Sequence, residues 1–360
     1  MGENRVIKRI LFAVCIATAF IAAYTACAPQ SEIHSRKLEI LGTNAEVTIS
    51  KVPKQKALDA ITDAEADLQA FDNIGYTFEE ECELNHLNEA LANGDVFRAS
   101  DELVELIRIS QKLSNISEGL FNPAAGELTA LWEYHCTSEP CPESPYPDEV
   151  MKLVEKKDMS VLKHNPRMSD VNINGNNISS SNRYVKLEFG DVIRGFAMDK
   201  VIEHLKELDI ENAMIDIGPS VRVIGKKGKH PWWVGLYDAS GKHIIGTIEL
   251  SDDNAVVTAS SLTKSASDKG TIYRHVVYPD TGLPVKDISS VTVVHESAAV
   301  ANVAATALMI AGLDNWKSVA SNMNVTAILL FTNDGTIYLS PAMSHMINWR
   351  TEISHKFLRP

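Results

Sequence analysis

Turn residues divide the second half of the chain into short apolar segments, and this pattern constrains the fold more than any other feature. Short runs rich in Val, Ile, Thr and aromatic residues between turns are typical of β-strands. The predicted strands span residues 184–189, 213–217, 221–224, 232–237, 244–250, 255–258, 273–278, 290–295, 325–332 and 336–339. Asn333-Asp334-Gly335, between the last two, is a strong hairpin signal.

Helices are predicted where apolar residues recur at the helical spacing. They span residues 53–71, 101–117, 195–208 and 298–311, and a first strand precedes them at 38–50. Ser100 is placed to act as the N-cap of the second helix. Because helices and mostly antiparallel strands occur in separate runs, the predicted fold class is α+β, with mostly antiparallel sheets and packed helices. We expect a single large domain over residues 38–345, with an insertion near 136–150 and a C-terminal tail at 346–360.

Composition excludes two classes of protein. The 360 residues are 45% hydrophobic and 22% charged, which is a globular mixture and not that of a disordered chain. The formal net charge is −13, and no Lys/Arg-rich cluster is visible. Since phosphate backbones are bound by basic faces, no nucleic-acid partner is expected.

The N-terminus has the pattern of an export signal. Arg5, Lys8 and Arg9 precede an uncharged stretch at 10–23, which is shorter than the roughly 20 residues a membrane-spanning helix needs. Small residues lead to Cys27, as at a lipoprotein processing site. We therefore expect a signal peptide at 1–26, a lipidated Cys27, and a tether at 27–37. The protein would be exported and lipid-anchored to a bacterial membrane, facing the periplasm or the cell exterior; an uncleaved anchor or simple secretion is the alternative.

Two further cysteines suit an oxidising compartment. Cys136 and Cys141 lie close together in a Pro-rich loop, where a short-loop disulfide is plausible, although two free thiols are the alternative. Cys82 is expected to be a small buried residue.

Three segments contain residues that could support chemistry. In the first, the predicted strand at 184–189 leads into Gly190, Arg194 and Gly195 at the start of a helix. Such a junction can present backbone N–H groups, a helix N-terminus and a guanidinium to a phosphate group. Packing alone is the commoner reason for glycines at such a turn.

The second segment, at 271–284, contains His275 and the tight turn Pro279-Asp280-Thr281-Gly282. His275 could accept a proton, and the turn could clamp a ligand. A partly exposed strand histidine and an ordinary turn would give the same pattern.

The third segment lies in the predicted helix at 298–311. Asn302 and Thr306 are four residues apart, so both side-chain oxygens face the same way on a helix. Two such oxygens suit Mg²⁺, which binds few protein ligands and keeps water or phosphate. The alternative is a small-residue helix that packs closely on a sheet and tolerates two polar residues.

Together, these segments and others in the same order resemble the FAD:protein FMN transferase family, from about residue 42 to 341. Several stretches contribute to the resemblance. They are 82–88 (CELNHLN), 119–132 (GLFNP through Gly126 to Trp132), 215–218 (IDIG), 255–258, His275, 279–284 (PDTGLP) and 301–306. The resemblance implies a fold of the FMN transferase type. It also implies an enzyme that uses Mg²⁺ to cleave the pyrophosphate of FAD, transfers FMN to a Ser or Thr hydroxyl of an exported flavoprotein, and releases AMP.

The resemblance also implies roles for individual residues. Asn302 and Thr306 occupy the side-chain positions of the metal site, and the Ile193 carbonyl occupies its backbone position. His275 would be the base or a phosphate partner, and Arg194 replaces a family Lys near the chemistry. The remaining implied contacts to FAD are Glu83, Gly190, Gly195, Asp199, Thr258, Thr281 and Gly282.

Some positions depart from the family pattern. The family has an acid where this chain has Asn302 and Tyr278, and it has a second glycine where this chain has Asp191 and Pro219. Two interpretations follow: a divergent FMN transferase, or a catalytically degenerate paralogue that binds flavin nucleotide or a protein partner.

Overall fold

The computed structural model describes residues 33–75, 82–130, 160–238, 241–261, 263–264, 272–273, 276–350 and 352–358. Within them, a nine-stranded sheet passes through the whole domain. In spatial order its strands are β1 (Ile33–Ile40), β2 (Thr43–Ser50), β6 (Ala213–Ile217), β7 (Ser220–Gly225), β10 (Asp252–Ser260), β13 (Ile288–His295), β14 (Ala327–Thr332), β15 (Ile337–Leu339) and β17 (Lys356–Phe357). All neighbours are antiparallel except β15 and β17.

Smaller sheets complete the strand set. One contains β16 (Ile347–Trp349), β9 (Ile244–Leu250) and β8 (Trp232–Tyr237), and another contains β3 (Phe97–Arg98), β5 (Asn177–Ser180) and β4 (Val171–Asn174). A short hairpin pairs β11 (Thr263–Lys264) with β12 (Ile272–Tyr273).

The helices are α1 (Lys54–Gly75), α2 (Glu83–Asn93), α3 (Asp101–Ile116), α4 (Ser160–His164), α5 (Gly190–Glu207), α6 (Ala298–Asn322) and α7 (Pro341–Ser344). Helix α6 packs on β10 and β13, and α5 packs on both α1 and α6. Although α6 is long and apolar enough to cross a membrane, most of it is buried inside the fold, as expected of a core helix.

Alternating side chains of the large sheet form two cores. On β14, Ile328 and Leu330 pack with the helices, whereas Leu329 and Phe331 pack with the small sheet of β16, β9 and β8. This period of two is what a strand buried on both faces requires. The domain therefore has three layers: helices, the large sheet and the small sheet. The predicted α+β class is confirmed.

The first predicted strand, at 38–50, is wrong as a single element. The structure contains a hairpin of β1 and β2, whose turn places Leu41 at φ 49° and Gly42 at φ 68°. Leucine rarely adopts this left-handed backbone, so Gly42 was the one local signal of a turn there. Burial of Leu41 and a hydrogen bond from its N–H to Asp72 Oδ1 (3.0 Å) stabilise the turn.

The predicted strand at 184–189 is also wrong. Its backbone forms a single bridge, between Lys186 and Ala125, and α5 begins directly after it at Gly190 rather than at residue 195. Within the predicted strand at 273–278, Tyr273 belongs to β12, and Val277 forms a single bridge with Pro284.

Both predicted ends of the domain differ from the structure. Strand β1 begins at Ile33, within the predicted tether, and β16 and β17 lie within the predicted C-terminal tail. The predicted insertion near 136–150 lies outside the described residues.

Candidate active site

Two adjoining cavities lie at the start of α5, and Arg194, Val276 and Thr306 line both of them. The first, of about 240 Å³, is lined by Leu120, Phe121, Asn122, Glu188 and Gly190, among others. The second, of about 730 Å³, lies between β8, β10 and the turn from β6 to β7. A ligand that occupied both cavities would pass Arg194 and Thr306.

Arg194 provides positive charge at the junction of the cavities. Its side chain is half-buried, and its Nε is buried without a hydrogen-bond partner among the described residues. A buried donor without a partner is costly, so this atom is available to an anionic ligand. The first turn of α5 adds the positive end of its dipole, while the Val192 and Ile193 N–H groups already donate to the Phe189 carbonyl at 2.9 and 2.8 Å.

Glu188 lies beside this turn and lines the first cavity. Its Oε1 accepts a hydrogen bond from the Gly190 N–H at 2.6 Å. The sequence did not predict Glu188 as a site residue, because an acidic side chain is not expected next to a phosphate-binding position.

Asn302 and Thr306, on α6, face the second cavity together. They are 7% and 9% exposed, and Ser220 Oγ donates to Asn302 Oδ1 at 3.0 Å. The described residues contain no cluster of three or more His, Cys, Asp or Glu side chains that could hold a metal. The donors offered here are instead hard oxygens with little charge, which fits Mg²⁺ that arrives with a phosphate ligand.

Asp216 provides a carboxylate in the same cavity. It lies on β6, where buried and half-buried residues alternate, so Asp216 lies on the opposite face of the strand from the buried Ile215 and Ile217. Burial raises its pKa above the usual 3.8, and the neighbouring Glu46 on β2 raises it further. Sequence reasoning missed Asp216 as a site residue, although an acid on the alternate face of an apolar strand was a signal.

Thr258, for which a contact with FAD is predicted, lines the second cavity, and its hydroxyl lies 2.8 Å from the hydroxyl of Thr292 on the neighbouring strand β13. Gly190 lines the first cavity. The structure thus brings Arg194, Gly190, Thr258, Asn302 and Thr306 together around the two cavities.

Other predicted residues line neither cavity. Glu83 accepts hydrogen bonds from the Ser100 N–H (2.6 Å) and hydroxyl (2.7 Å) at the start of α3. The Thr281 hydroxyl accepts from the Leu283 N–H at 3.2 Å, and Gly282, at φ 69°, closes the same turn. The Ile193 side chain is buried in the helical core.

Gly195 and Asp199 contact α6 rather than the cavities. A Cβ on Gly195 would lie 2.5 Å from the carbonyl of Ala298, so the glycine permits close contact between α5 and α6. Asp199 accepts hydrogen bonds from the first residues of α6. Both residues therefore have structural partners within the fold, and their contacts with FAD stay predictions.

The remaining predictions fall on residues that the structure does not describe. His275, Cys27, Cys136 and Cys141 all lie outside the described ranges. The predicted burial of Cys82 is confirmed, and its thiol is free.

The sequence is similar to those of known proteins. The sequence profile of the ApbE family matches residues 41–329. An FAD:protein FMN transferase of Rhodobacter capsulatus is 31% identical over 316 residues, which cover 88% of this chain and 58% of the relative. An FAD:protein FMN transferase of Vibrio cholerae is 25% identical over 263 residues, which cover 72% of this chain and 75% of the relative.

Solved structures show the same fold. The flavin transferase ApbE from Vibrio cholerae superposes with a TM-score of 0.72 at 22% identity, over 88% of this chain and 99% of that one. An ApbE protein from Thermotoga maritima gives 0.73 at 24% identity, over the same shares. The chain spans 58% of the length of its Rhodobacter capsulatus relative, so part of that protein has no counterpart here.

Proposed function

Because the chain belongs to the ApbE family, whose profile covers residues 41–329, we propose that it is an FAD:protein FMN transferase. The observation that carries the proposal is the pair of cavities that join at Arg194 and Thr306. A dinucleotide has two bulky ends and a pyrophosphate between them, which matches two cavities with a guanidinium at their junction.

The proposed reaction is phosphoryl transfer. The hydroxyl oxygen of a Ser or Thr on an acceptor protein attacks the phosphorus of the FMN half of FAD. The bond from that phosphorus to the bridging oxygen breaks, AMP leaves with that oxygen, and a base takes the hydroxyl proton. His275 is the proposed base, as the resemblance implies. Arg194 would hold the pyrophosphate and offset the charge that develops on it.

Mg²⁺ is the proposed metal, and Asn302 and Thr306 would hold it, with Asp216 as a nearby acid. When bound, the ion neutralises pyrophosphate charge. The protein contributes the oxygens that orient the ligand and a partly enclosed cavity that limits access of water.

The activity is tested with the purified protein, FAD, Mg²⁺ and an exported flavoprotein that carries the acceptor Ser or Thr. We expect AMP to form, and Thr306→Ala to reduce its rate at least about tenfold, as for loss of an electrostatic contact in a transition state. Thr62→Ala is the matched control, because Thr62 lies on the exposed face of α1 and lines neither cavity. FAD bound stoichiometrically with no AMP would contradict the proposal and favour the degenerate paralogue.

The location of the protein is a second proposal. The uncharged stretch at 10–23 followed by Cys27 supports export and a lipid anchor on a bacterial membrane. The acceptor would then be an exported flavoprotein. Mass spectrometry of the mature N-terminus checks this: an acylated Cys27 is expected, and an unmodified N-terminus at another residue would contradict it.

A further inference from the structure

Helix α6, which bears Asn302 and Thr306, begins on the carboxylate of Asp199. The N–H groups of Ala298 and Ala299 donate to its two oxygens at 2.8 and 3.0 Å, and the hydroxyl of Ser297 donates at 2.7 Å. The first N–H groups of a helix have no partner inside the helix. A carboxylate at the N-terminus accepts hydrogen bonds from them, and its negative charge interacts favourably with the positive end of the helix dipole. A residue of α5 thus caps α6.

A buried arginine holds the Asp199 carboxylate in this position. Arg222 Nε lies 3.0 Å from Asp199 Oδ1, and the arginine side chain is 6% exposed. A second guanidinium nitrogen of Arg222 contacts Asp253 Oδ1 at 2.5 Å. Since both oxygens of Asp199 already accept two hydrogen bonds each, its rotamer has little freedom.

Gly195, one turn before Asp199 on α5, contacts the same end of α6. The space for a Cβ on Gly195 is filled by the Ala298 carbonyl carbon and oxygen, each at 2.5 Å, and by the Ala299 nitrogen at 2.6 Å. Arg194 is the residue next to Gly195, and Asn302 is one turn into α6. The contact between the helices therefore sets where the guanidinium lies relative to the Asn302 and Thr306 oxygens.

We propose that Asp199 is a positioning residue for the phosphoryl-transfer site: by holding the first turn of α6 on α5, it fixes Asn302 and Thr306 relative to Arg194. The inference rests on the proposed function for its catalytic consequence. The attachment of α6 itself is a property of the fold and can be measured without activity.

Asp199→Asn is the informative variant because it keeps the shape of the side chain. Whichever way the asparagine amide is turned, its NH₂ group faces the N–H of either Ala298 or Ala299, so one hydrogen bond to the start of α6 is lost. The variant also loses the negative charge beside Arg222. Asp253→Asn is the matched control, since it changes the other carboxylate on Arg222 and leaves every contact to α6 in place.

Two readouts test the proposal. By hydrogen exchange, the amides of residues 300–306 should exchange at least about fivefold faster in Asp199→Asn, whereas those of 316–322, beyond the interruption of α6 at Gly312, should be unchanged. In the AMP assay, the half-saturating Mg²⁺ concentration should rise about fivefold or more, while the Kd for FAD measured in EDTA stays within about twofold. Asp253→Asn should resemble wild type in both.

Unchanged exchange at 300–306, or an Mg²⁺ requirement equal to that of wild type in a variant with loosened exchange, would overturn the proposal. If wild type itself releases no AMP, the proposed function fails, and the exchange data still decide whether Asp199 holds α6. Should Asp199→Asn not fold, Arg222→Lys loosens the hold on the Asp199 carboxylate without touching the Ser297 cap of α6, and it should show the same two effects in smaller size.

Discussion

Arg194 is the residue on which the proposed chemistry depends most. It is the side chain that lines both cavities and also has a buried nitrogen without a partner among the described residues. A lysine would supply a point charge without the fork of donors. Arg194 can therefore present two coplanar donors to a pyrophosphate, which a lysine at this position could not.

Arg194→Ala should raise the Kd for FAD about tenfold or more, which corresponds to the loss of a hydrogen bond to a charged group, and Arg194→Lys should lie between. Equilibrium titration of flavin fluorescence in EDTA measures this. Arg36→Ala is the control, because Arg36 pairs with Glu65 at the surface and lines neither cavity. Equal losses in both alanine variants would contradict a specific role for Arg194.

Asp216 should make stability depend on pH. Its pKa is raised in the folded protein, so the folded state binds more protons than the unfolded state, and stability falls as pH rises from about 3.8 through the folded-state pKa. Asp216→Asn stays neutral and should therefore be more stable than wild type at pH 7 and equal to it near pH 3. Urea unfolding in EDTA across pH 3–7 checks this; a constant difference across that range would exclude the linkage.

At the scale of elements, several features were predictable because their signals are local. The Ser100 cap of α3 is confirmed, since Ser100 Oγ accepts from the Leu103 N–H at 3.2 Å, and the turn at 333–335 joins β14 to β15 as predicted. The β1–β2 turn was not predictable, because a buried Leu41 and a distant Asp72 stabilise it. The role of Asp199 at the start of α6 was not predictable either, because its partners on that helix are about one hundred residues away in the sequence.

The site was partly predictable for the same reason. Arg194, Asn302 and Thr306 lie in recognisable segments, and the structure brings them together. Glu188 and Ser220 face the cavities because of how the start of α5 and β7 lie in the fold, which no local pattern specifies, whereas Asp216 carried the signal of an acid on the alternate face of an apolar strand.

Gly195→Ala should disrupt the contact between α5 and α6. Its Cβ would meet backbone atoms that cannot rotate away, so the helices must separate, at a cost of about 1–3 kcal/mol, and activity should fall with stability. Gly312→Ala is the contrasting variant: it meets no atom within 4 Å, and its strain comes from φ 65° alone. That variant should lose about 1–3 kcal/mol through backbone strain and keep its rate of AMP release. Thermal unfolding and the AMP assay distinguish the two.

At the scale of the whole molecule, residues after 345 are part of the domain. Strand β16 pairs with β9 in the small sheet that borders the second cavity, and β17 forms the last strand of the large sheet. Leu358 is 4% exposed in the helical core, whereas its neighbour Phe357 is 52% exposed.

Leu358→Ala should therefore destabilise the protein by about 2–4 kcal/mol, as for other large-to-small changes in a core. Phe357→Ala should cost less than about 1 kcal/mol, because little apolar surface is lost from the interior. Denaturant unfolding of the two variants measures the difference. Similar values would mean that the last strand does not pack as the structure shows.

The pairing of β2 with β6 has a consequence for how the chain acquires this fold. Strand β2 ends at Ser50 and its partner begins at Ala213, so the whole of residues 51–212 must leave the ribosome before the pair can form. At a synthesis rate of about 5–20 residues per second, the outer edge of β2 stays unpaired for roughly 10–30 s. Pairing between strands so distant in sequence slows folding, and it prolongs the time during which the unpaired N–H and C=O groups of β2 can pair with another chain. During synthesis, the edge of β2 that later pairs with β6 is therefore exposed until β6 has been made.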